Sequence, residues 1–399
     1  MNYVEIKYNI YWVGALDPKL RDFDIIMHTP YGTTYNSYVV KGSEKTAIFE
    51  TVKEAFFDQY LERLNDLNIN LSEISYIVVS HTEPDHAGSV KKLLELAPNA
   101  KVVASKIAIG YLKAIVNRDF EYIEVKEGST LSLGDKTLKF LSVPMLHWPD
   151  TIYTYVEEDN TLITCDSFGA HYSFDKVFND LIEDKEGYMD ALKYYFDCIM
   201  GPFKPYMLKA IAKIEKLDID VICPGHGPVL RHNPMEIVEI CKEWSQPTPT
   251  NEVKEVVITY VSAYGYTKEI SEQIAKGIEA QGVKAKLFDV TEHDEAEILT
   301  AINNADGLIV GSPTILADML EPVRILLAKL NPVVHGGKVA GAFGSYGWSG
   351  EAAPRIETRL KELKMKMPLE PLNIQFRASE EECKECFEFG STIAKTIIK

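Results

Sequence analysis

Four side chains able to ligate a metal, His81, Glu83, Asp85 and His86, stand within six residues in the stretch Ser80-His81-Thr82-Glu83-Pro84-Asp85-His86-Ala87-Gly88-Ser89. The apolar run Tyr76-Ile77-Val78-Val79 precedes them, and Gly88 leads into a helix expected to begin near Ser89. A strand that ends in a ligand-rich loop and turns into a helix is a compact metal holder. A donor set mixing imidazole nitrogen with carboxylate oxygen suits iron, manganese or zinc, whereas an all-oxygen set would suit magnesium or calcium.

Three more candidates lie far along the chain in matching places. His147 follows the predicted strand 137–143, Asp166 follows 161–164, and His226 follows 221–223. Side chains just beyond the C-terminal ends of several strands lie close in space, so four separate loops can converge on one site. The set is then four imidazoles and three carboxylates, too many for one four-coordinate zinc and enough for two metals. A carboxylate, most naturally Asp166, could bridge them, and two metals about 3.5–4 Å apart can clamp one small substrate.

A second chemistry is written beyond residue 252. Ser262, Ala263, Tyr264, Gly265, Tyr266 and Thr267 join an apolar strand to a helix, offering hydroxyls and backbone N–H groups to a phosphate monoester. The pattern is neither GxxxxGK nor GxGxxG, which disfavours a nucleoside triphosphate and a dinucleotide. Gly311-Ser312-Pro313-Thr314-Ile315 follows a third strand, and Gly344-Ser345-Tyr346-Gly347-Trp348-Ser349-Gly350 a fourth. Glycines there permit close backbone approach and the aromatics offer a stacking surface. A phosphate cradle with two loops around a flat ring points to FMN.

These residues need elements to hold them. In the first half, 3–13, 36–40, 46–50, 77–80, 101–104, 137–143, 152–156, 161–164 and 221–223 read as strands, with a further strand pair after a helix at 107–116. Residues 58–67 and 90–96 read as helices. Trp244-Ser245-Gln246-Pro247-Thr248-Pro249-Thr250-Asn251 is a proline- and threonine-rich break, which divides the chain into expected domains 1–248 and 252–399. After it, strands at 256–261, 284–289, 307–310 and 339–343 alternate with helices, the first at 269–280, as in a doubly wound parallel sheet. Such sheets bind ligands at the C-terminal strand ends.

Composition narrows the partners. With 399 residues, two domains are expected, and a formal net charge of −17 disfavours nucleic acid or an anionic membrane. No apolar run is long enough for a membrane span, and Met1-Asn2-Tyr3-Val4-Glu5 does not open like a signal peptide, so the expected location is cytoplasmic. Six cysteines make no disulfide framework, and the Cys383/Cys386 pair falls in a helical stretch with no second pair to complete a metal site.

The first half resembles the metallo-β-lactamase superfold, an αββα sandwich with metals at its strand ends. Most hydrolases of that superfamily carry HxHxDH, whereas Glu83 makes this chain HxExDH, the version of flavodiiron proteins. A harder oxygen ligand there favours redox-active iron over zinc. Ligand spacings of 61, 19 and 60 positions between His86, His147, Asp166 and His226 match that family, as do Thr33-Thr34-Tyr35-Asn36 and His147-Trp148-Pro149-Asp150. The resemblance implies one iron on His81, Glu83 and His147, another on Asp85, His86 and His226, and Asp166 bridging. It also implies His171 and Tyr195 near the iron pocket, as donors of protons or hydrogen bonds. His28 is offset by Pro30 and Tyr31 and is left unassigned.

The second half resembles flavodoxin, and the fusion is the flavodiiron architecture. The expected fold is thus an αββα sandwich followed by a flavodoxin-like doubly wound sheet, a two-domain α/β and α+β chain. The resemblance implies reduction of dioxygen to water, nitric oxide to nitrous oxide, or both, at a non-haem di-iron site. FMN would relay electrons from a separate donor, rubredoxin or a reduced deazaflavin coenzyme. It further implies a head-to-tail homodimer or a dimer of such dimers. The competing reading is a zinc-dependent hydrolase with an accessory flavodoxin domain.

Overall fold

The structure is a computed structural model describing residues 2–247 and 253–399. The chain forms two compact units, Met1–Pro247 and Thr248–Lys399. Residues 248–251 of the expected proline- and threonine-rich break lie outside the described residues.

Alternation of apolar side chains builds the first unit in four layers. Val39, Ile77 and Val102 point one way and join Tyr60, Leu64, Leu93 and Leu112 from the helices Phe57–Asp66, Val90–Leu96 and Lys106–Val116. Their strand neighbours Val40, Val78 and Val103 point the other way, into a core shared with Phe140, Ile163 and Cys223 of a second sheet. That sheet's opposite face, with Leu141, Leu162 and Ile222, packs on the helices Lys185–Tyr195, Lys204–Ile214 and Pro234–Ser245. Successive strand residues face opposite sides, so two sheets with apolar side chains on both faces must stack and be covered outside by helices.

The first sheet has seven strands in the order Val4–Lys7, Ile10–Trp12, Tyr38–Lys41, Thr46–Phe49, Ile74–Val78, Lys101–Ser105 and Tyr122–Val125. The second runs Thr130–Ser132, Thr137–Ser142, Ile152–Val156, Thr161–Cys165, Val221–Pro224. Two expectations are corrected. The strand expected over 3–13 is an antiparallel hairpin that turns at Asn9, in the left-handed region with φ 62°. The strand pair expected after residue 116 is no pair, because Tyr122–Val125 closes the first sheet while Thr130–Ser132 opens the second.

The second unit is a parallel sheet in the order Lys284–Asp289, Glu255–Tyr260, Gly307–Ile315, Val339–Tyr346, Leu372–Gln375, with Asp318–Met319 added antiparallel to Gly307–Ile315. Val257, Leu308 and Ala340 face the helices Glu295–Asn304, Glu321–Ala328 and Ala352–Glu362. Val256, Ile258 and Ile309 face Tyr266–Glu279 and Glu380–Ile398. The strands expected at 307–310 and 339–343 continue through Ile315 and Tyr346, in parallel register up to Pro313 opposite Ser345. The helix expected from 269 begins at Tyr266. Cys383 and Cys386 are free thiols on the final helix. Among the described residues, no helix is long and apolar enough to cross a membrane.

The two helices on one face meet backbone to backbone. A Cβ on Gly390 would stand 2.0 Å from the carbonyl oxygen of Ile274, and one on Gly277 would stand 1.9 Å from that of Phe387. Neither position can accept a side chain, so Gly390→Val forces the helices apart. The expected result is a loss of about 1–3 kcal/mol in the second unit, read as an earlier urea transition of its circular dichroism with weaker FMN retention.

Candidate metal centre and flavin pocket

The strand Ile74–Val78 delivers Ser80 and His81, and the loop is pinned from both sides. Ser80 N–H donates to Glu50 Oε1 at 2.8 Å, and Thr82 gives its N–H and hydroxyl to Asp150 Oδ2 at 3.0 and 2.6 Å. Pro84 then starts a single helical turn, Pro84–Ala87, with Glu83 at its N-cap, a turn that the expected helix start near Ser89 overlooked. Proline suits that first helical position because its missing N–H would have had no intrahelical partner there. The turn rotates successive side chains by about 100°. It therefore sends Asp85 and His86 one way while Glu83, outside the turn, goes with His81.

Two donor groups result. In the first, Glu83 Oε2 lies 3.1 Å from His81 Nε2 and 3.0 Å from His147 Nε2, and Asp166 Oδ2 lies 3.4 and 3.3 Å from the same nitrogens. In the second, Asp85 Oδ2 lies 3.6 Å from His86 Nε2 and 3.1 Å from His226 Nε2, and Asp166 Oδ1 lies 2.9 and 3.5 Å from them. Asp166 thus presents one oxygen to each group. All seven predicted ligands are brought together, and one donor atom per residue lies within 4.8 Å of the others both among His81, Glu83, His147 and Asp166 and among Asp85, His86 and His226.

The donors fit a pair of cations. Both carboxylate oxygens of Asp85, both ring nitrogens of His86 and Oδ1 of Asp166 are buried with no hydrogen-bond partner. Buried polar groups left without partners are costly, and a metal ion satisfies several at once. The electrostatics agree. Burial opposes charge on His147, yet its hydrogen bonds to Asp166 and Glu83 outweigh that and hold it up at about 10. Burial likewise opposes charge on Asp85, and the neighbouring His86 and His226 hold it down at about 2. The carboxylates call for positive charge, and oxygen in both groups suits iron.

The remaining residues act around the donors. His226 Nδ1 lies 2.6 Å from the carbonyl of Thr34, which leaves Nε2 facing the donor group. Thr34 Oγ1 accepts from Gly227 N–H at 2.7 Å, and Asn36 Nδ2 donates to Pro224 and Gly227 carbonyls at 2.8 and 2.9 Å. The Thr33–Asn36 string is thus a brace for the His226 loop. His171 and Tyr195 fall outside both donor groups. The His171 ring lies 5.1 Å from that of His226, with Nδ1 2.9 Å from Thr33 Oγ1, and Tyr195 donates its hydroxyl to the Asp166 carbonyl at 3.1 Å. Burial, and next the nearby His226, keep His171 well below the usual histidine range. Three contributors escaped sequence reasoning. Phe23 stacks 4.2 Å from the His171 ring, Asp150 holds the His81 loop, and Glu50 holds Ser80. Glu50 stands just past the strand Thr46–Phe49, whereas the strand expected over 46–50 had absorbed it.

In the second unit a cavity of about 640 Å³ opens at the strand ends. Of the predicted flavin-binding residues, Tyr264, Tyr266, Pro313, Thr314, Ile315, Ser345, Tyr346, Gly347 and Trp348 line it, joined by Leu316, Ala317, Ser349 and Phe376. Ser262, Ala263, Gly265, Thr267, Ser312 and Gly350 do not line it. Several of these build its walls instead: Thr267 and Ser345 share a hydrogen bond at 2.9 Å, and Ser312 Oγ accepts from Leu320 N–H at 2.9 Å. Gly265 caps the helix Tyr266–Glu279 with φ 89°. Tyr264 and Trp348 are 81% and 94% exposed, an unusual outlay of aromatic surface that a flat ring would cover. The fit to FMN rests on that surface beside a helix N-terminus.

Known proteins match both units and the whole chain. Residues 33–227 match the ODP family beta lactamase model and residues 258–390 the flavodoxin model. The flavo-diiron protein FprA2 of Clostridium acetobutylicum is 40% identical, with 99% of this chain and 99% of that protein covered. The nitric oxide reductase of Moorella thermoacetica is 36% identical, covering 99% and 98%. Among solved structures, rubredoxin oxygen:oxidoreductase from Desulfovibrio gigas superposes with a TM-score of 0.73 at 30% identity, covering 100% and 99%. An αββα unit with two donor groups, followed by a flavodoxin-like unit, and identity at this level along the full length place the chain in the flavo-diiron protein family.

Proposed function

We propose that the chain reduces dioxygen to water, nitric oxide to nitrous oxide, or both, at two irons, with electrons relayed through FMN from an external donor. The carrying observation is the split of Asp166 between two donor groups, each of which also holds a carboxylate and two imidazoles. The names of the relatives, a nitric oxide reductase and a rubredoxin oxygen:oxidoreductase, support the same chemistry. When bound, the irons supply a binding place for a small oxidant and, with FMN, the electrons for its reduction.

The seven ligands would hold that pair as His81, Glu83 and His147 on one side and Asp85, His86 and His226 on the other, with Asp166 between. Tyr195 steadies the bridge through the Asp166 carbonyl. His171 stays neutral and, with Phe23 against its ring, walls one flank beside His226. In the other unit, Tyr264, Tyr346 and Trp348 would face the flavin ring, while backbone N–H groups at the start of the helix Tyr266–Glu279 would receive its phosphate. Leu316 and Trp348, both over 90% exposed, leave an apolar rim. That rim supports a head-to-tail pairing, in which the flavin of one copy serves the metals of another. The donor is a rubredoxin or a reduced deazaflavin coenzyme, and a cytoplasmic setting accords with either.

Anaerobic stopped-flow mixing of the reduced, iron-loaded protein with dioxygen and, separately, nitric oxide tests the reading. Reoxidation of the flavin by at least one gas within milliseconds to seconds is expected, and indifference to both overturns it. Elemental analysis should find two irons per chain. Two zincs without iron, with hydrolysis of a thioester or phosphodiester, would support the competing hydrolase. Gly225 offers a geometric check, since a Cβ there would lie 2.7 Å from His86 Cε1 and 3.3 Å from Asp166 Oδ1. Gly225→Ala should weaken one metal about 10- to 100-fold in a chelator competition, leaving FMN content unchanged.

A further inference from the structure

We infer that Glu50 is the positioning residue of His86: its free carboxylate oxygen accepts the hydrogen on His86 Nδ1 and so reserves Nε2 for a metal. The inference rests on the assignment of His86 as a ligand made above. Glu50 is fully buried, one step beyond the strand Thr46–Phe49. Its Oε1 is occupied by Ser80 N–H, while Oε2 has no hydrogen-bond partner. His86 is equally buried, with Nε2 turned to Asp166 Oδ1 at 2.9 Å and Nδ1 unpartnered. A carboxylate oxygen of Glu50, a ring nitrogen of His86 and Sγ of Cys165 lie within 4.8 Å of one another. An orphaned acceptor and an orphaned ring nitrogen, both out of reach of water, thus belong to neighbouring side chains of one buried cluster.

The backbone around Glu50 is shaped for this. Glu50 has φ 57°, a left-handed conformation uncommon for a residue with a side chain, and such outliers gather at functional sites. The next residue, Thr51, donates both its N–H, at 2.8 Å, and its hydroxyl to the carbonyl of His86. Residues 50 and 51 therefore grip His86 at main chain and ring together. The arrangement completes a pattern. His226 Nδ1 faces the Thr34 carbonyl at 2.6 Å and His81 Nδ1 has the Asp150 carboxylate 3.6 Å away, so an oxygen acceptor behind Nδ1 of His86 would match its two neighbours. Cys165 is the rival neighbour, but a thiol sulfur is a weak acceptor. A ligating imidazole with a carboxylate behind it is more basic and better oriented, and losing such a partner costs about 10- to 100-fold in metal affinity.

The test uses the full chain with FMN and iron loaded, challenged with a chelator. Glu50→Gln keeps volume and shape but removes the charge, and one of the two irons should be stripped about tenfold faster. Glu50→Ala should approach a hundredfold, Glu50→Asp should recover part of the loss, and Cys165→Ala should match the wild type. Retention in Glu50→Gln equal to the wild type, or a loss confined to Cys165→Ala, overturns the inference. A second measurement needs no variant. In the zinc-loaded wild type labelled with 15N-histidine, His86 should carry its proton on Nδ1, with slow exchange. A proton on Nε2, or fast exchange, overturns it equally. If the wild type takes up no metal, the proposed function falls. If it takes up two and Glu50→Gln holds both, only the role of Glu50 falls.

Discussion

One carboxylate governs the first unit. Asp166 divides its two oxygens between two sets of donors, and everything around it keeps that division in register. The strand Thr161–Cys165 sets its depth, the Tyr195 hydroxyl fixes its carbonyl, and the Gly225 backbone leaves room for it and for the His86 ring. Three carboxylates and four imidazoles crowded out of water are tolerable only when positive charge is shared among them. The four-layer fold makes that crowding possible. Strands from two stacked sheets end at one edge, where loops from distant parts of the chain meet without the sheets being distorted.

Much of this was legible in the chain itself. The seven converging donors were found because imidazoles and carboxylates just past apolar strands are rare by chance and telling when repeated. The doubly wound second unit was legible because buried parallel strands are apolar on both faces. What escaped has physical reasons. Pro84–Ala87 is too short to show a helical period. Glu50, alone after its strand with no histidine beside it, resembles an ordinary solvated carboxylate until its burial is known. Gly311 and Pro313 read as breakers, yet the strand runs on through them. Gly311 is required because the Phe343 ring lies where its Cβ would be, and Pro313 falls near the strand's end.

The flavin pocket shows a different economy. Several residues that its loops advertised, among them Thr267 and Ser312, hold walls rather than line the cavity. The lining is completed by Leu316, Ala317 and Phe376, all with positive φ. Leu316 and Ala317 form the tight turn between Gly307–Ile315 and Asp318–Met319, where glycine or asparagine would be the easier choice. Side chains kept in such a conformation indicate that the apolar surface matters more there than backbone ease.

The position of Glu83 has a consequence for how such a centre changes over time. As the N-cap of a one-turn helix, it belongs to the turn by its backbone but not by the direction of its side chain. Replacing it would alter the donor hardness of one group, while the turn continues to aim Asp85 and His86 into the other. A lineage could therefore exchange hydrolytic for redox metals by editing a single codon, with half the centre held constant as the other half is retuned.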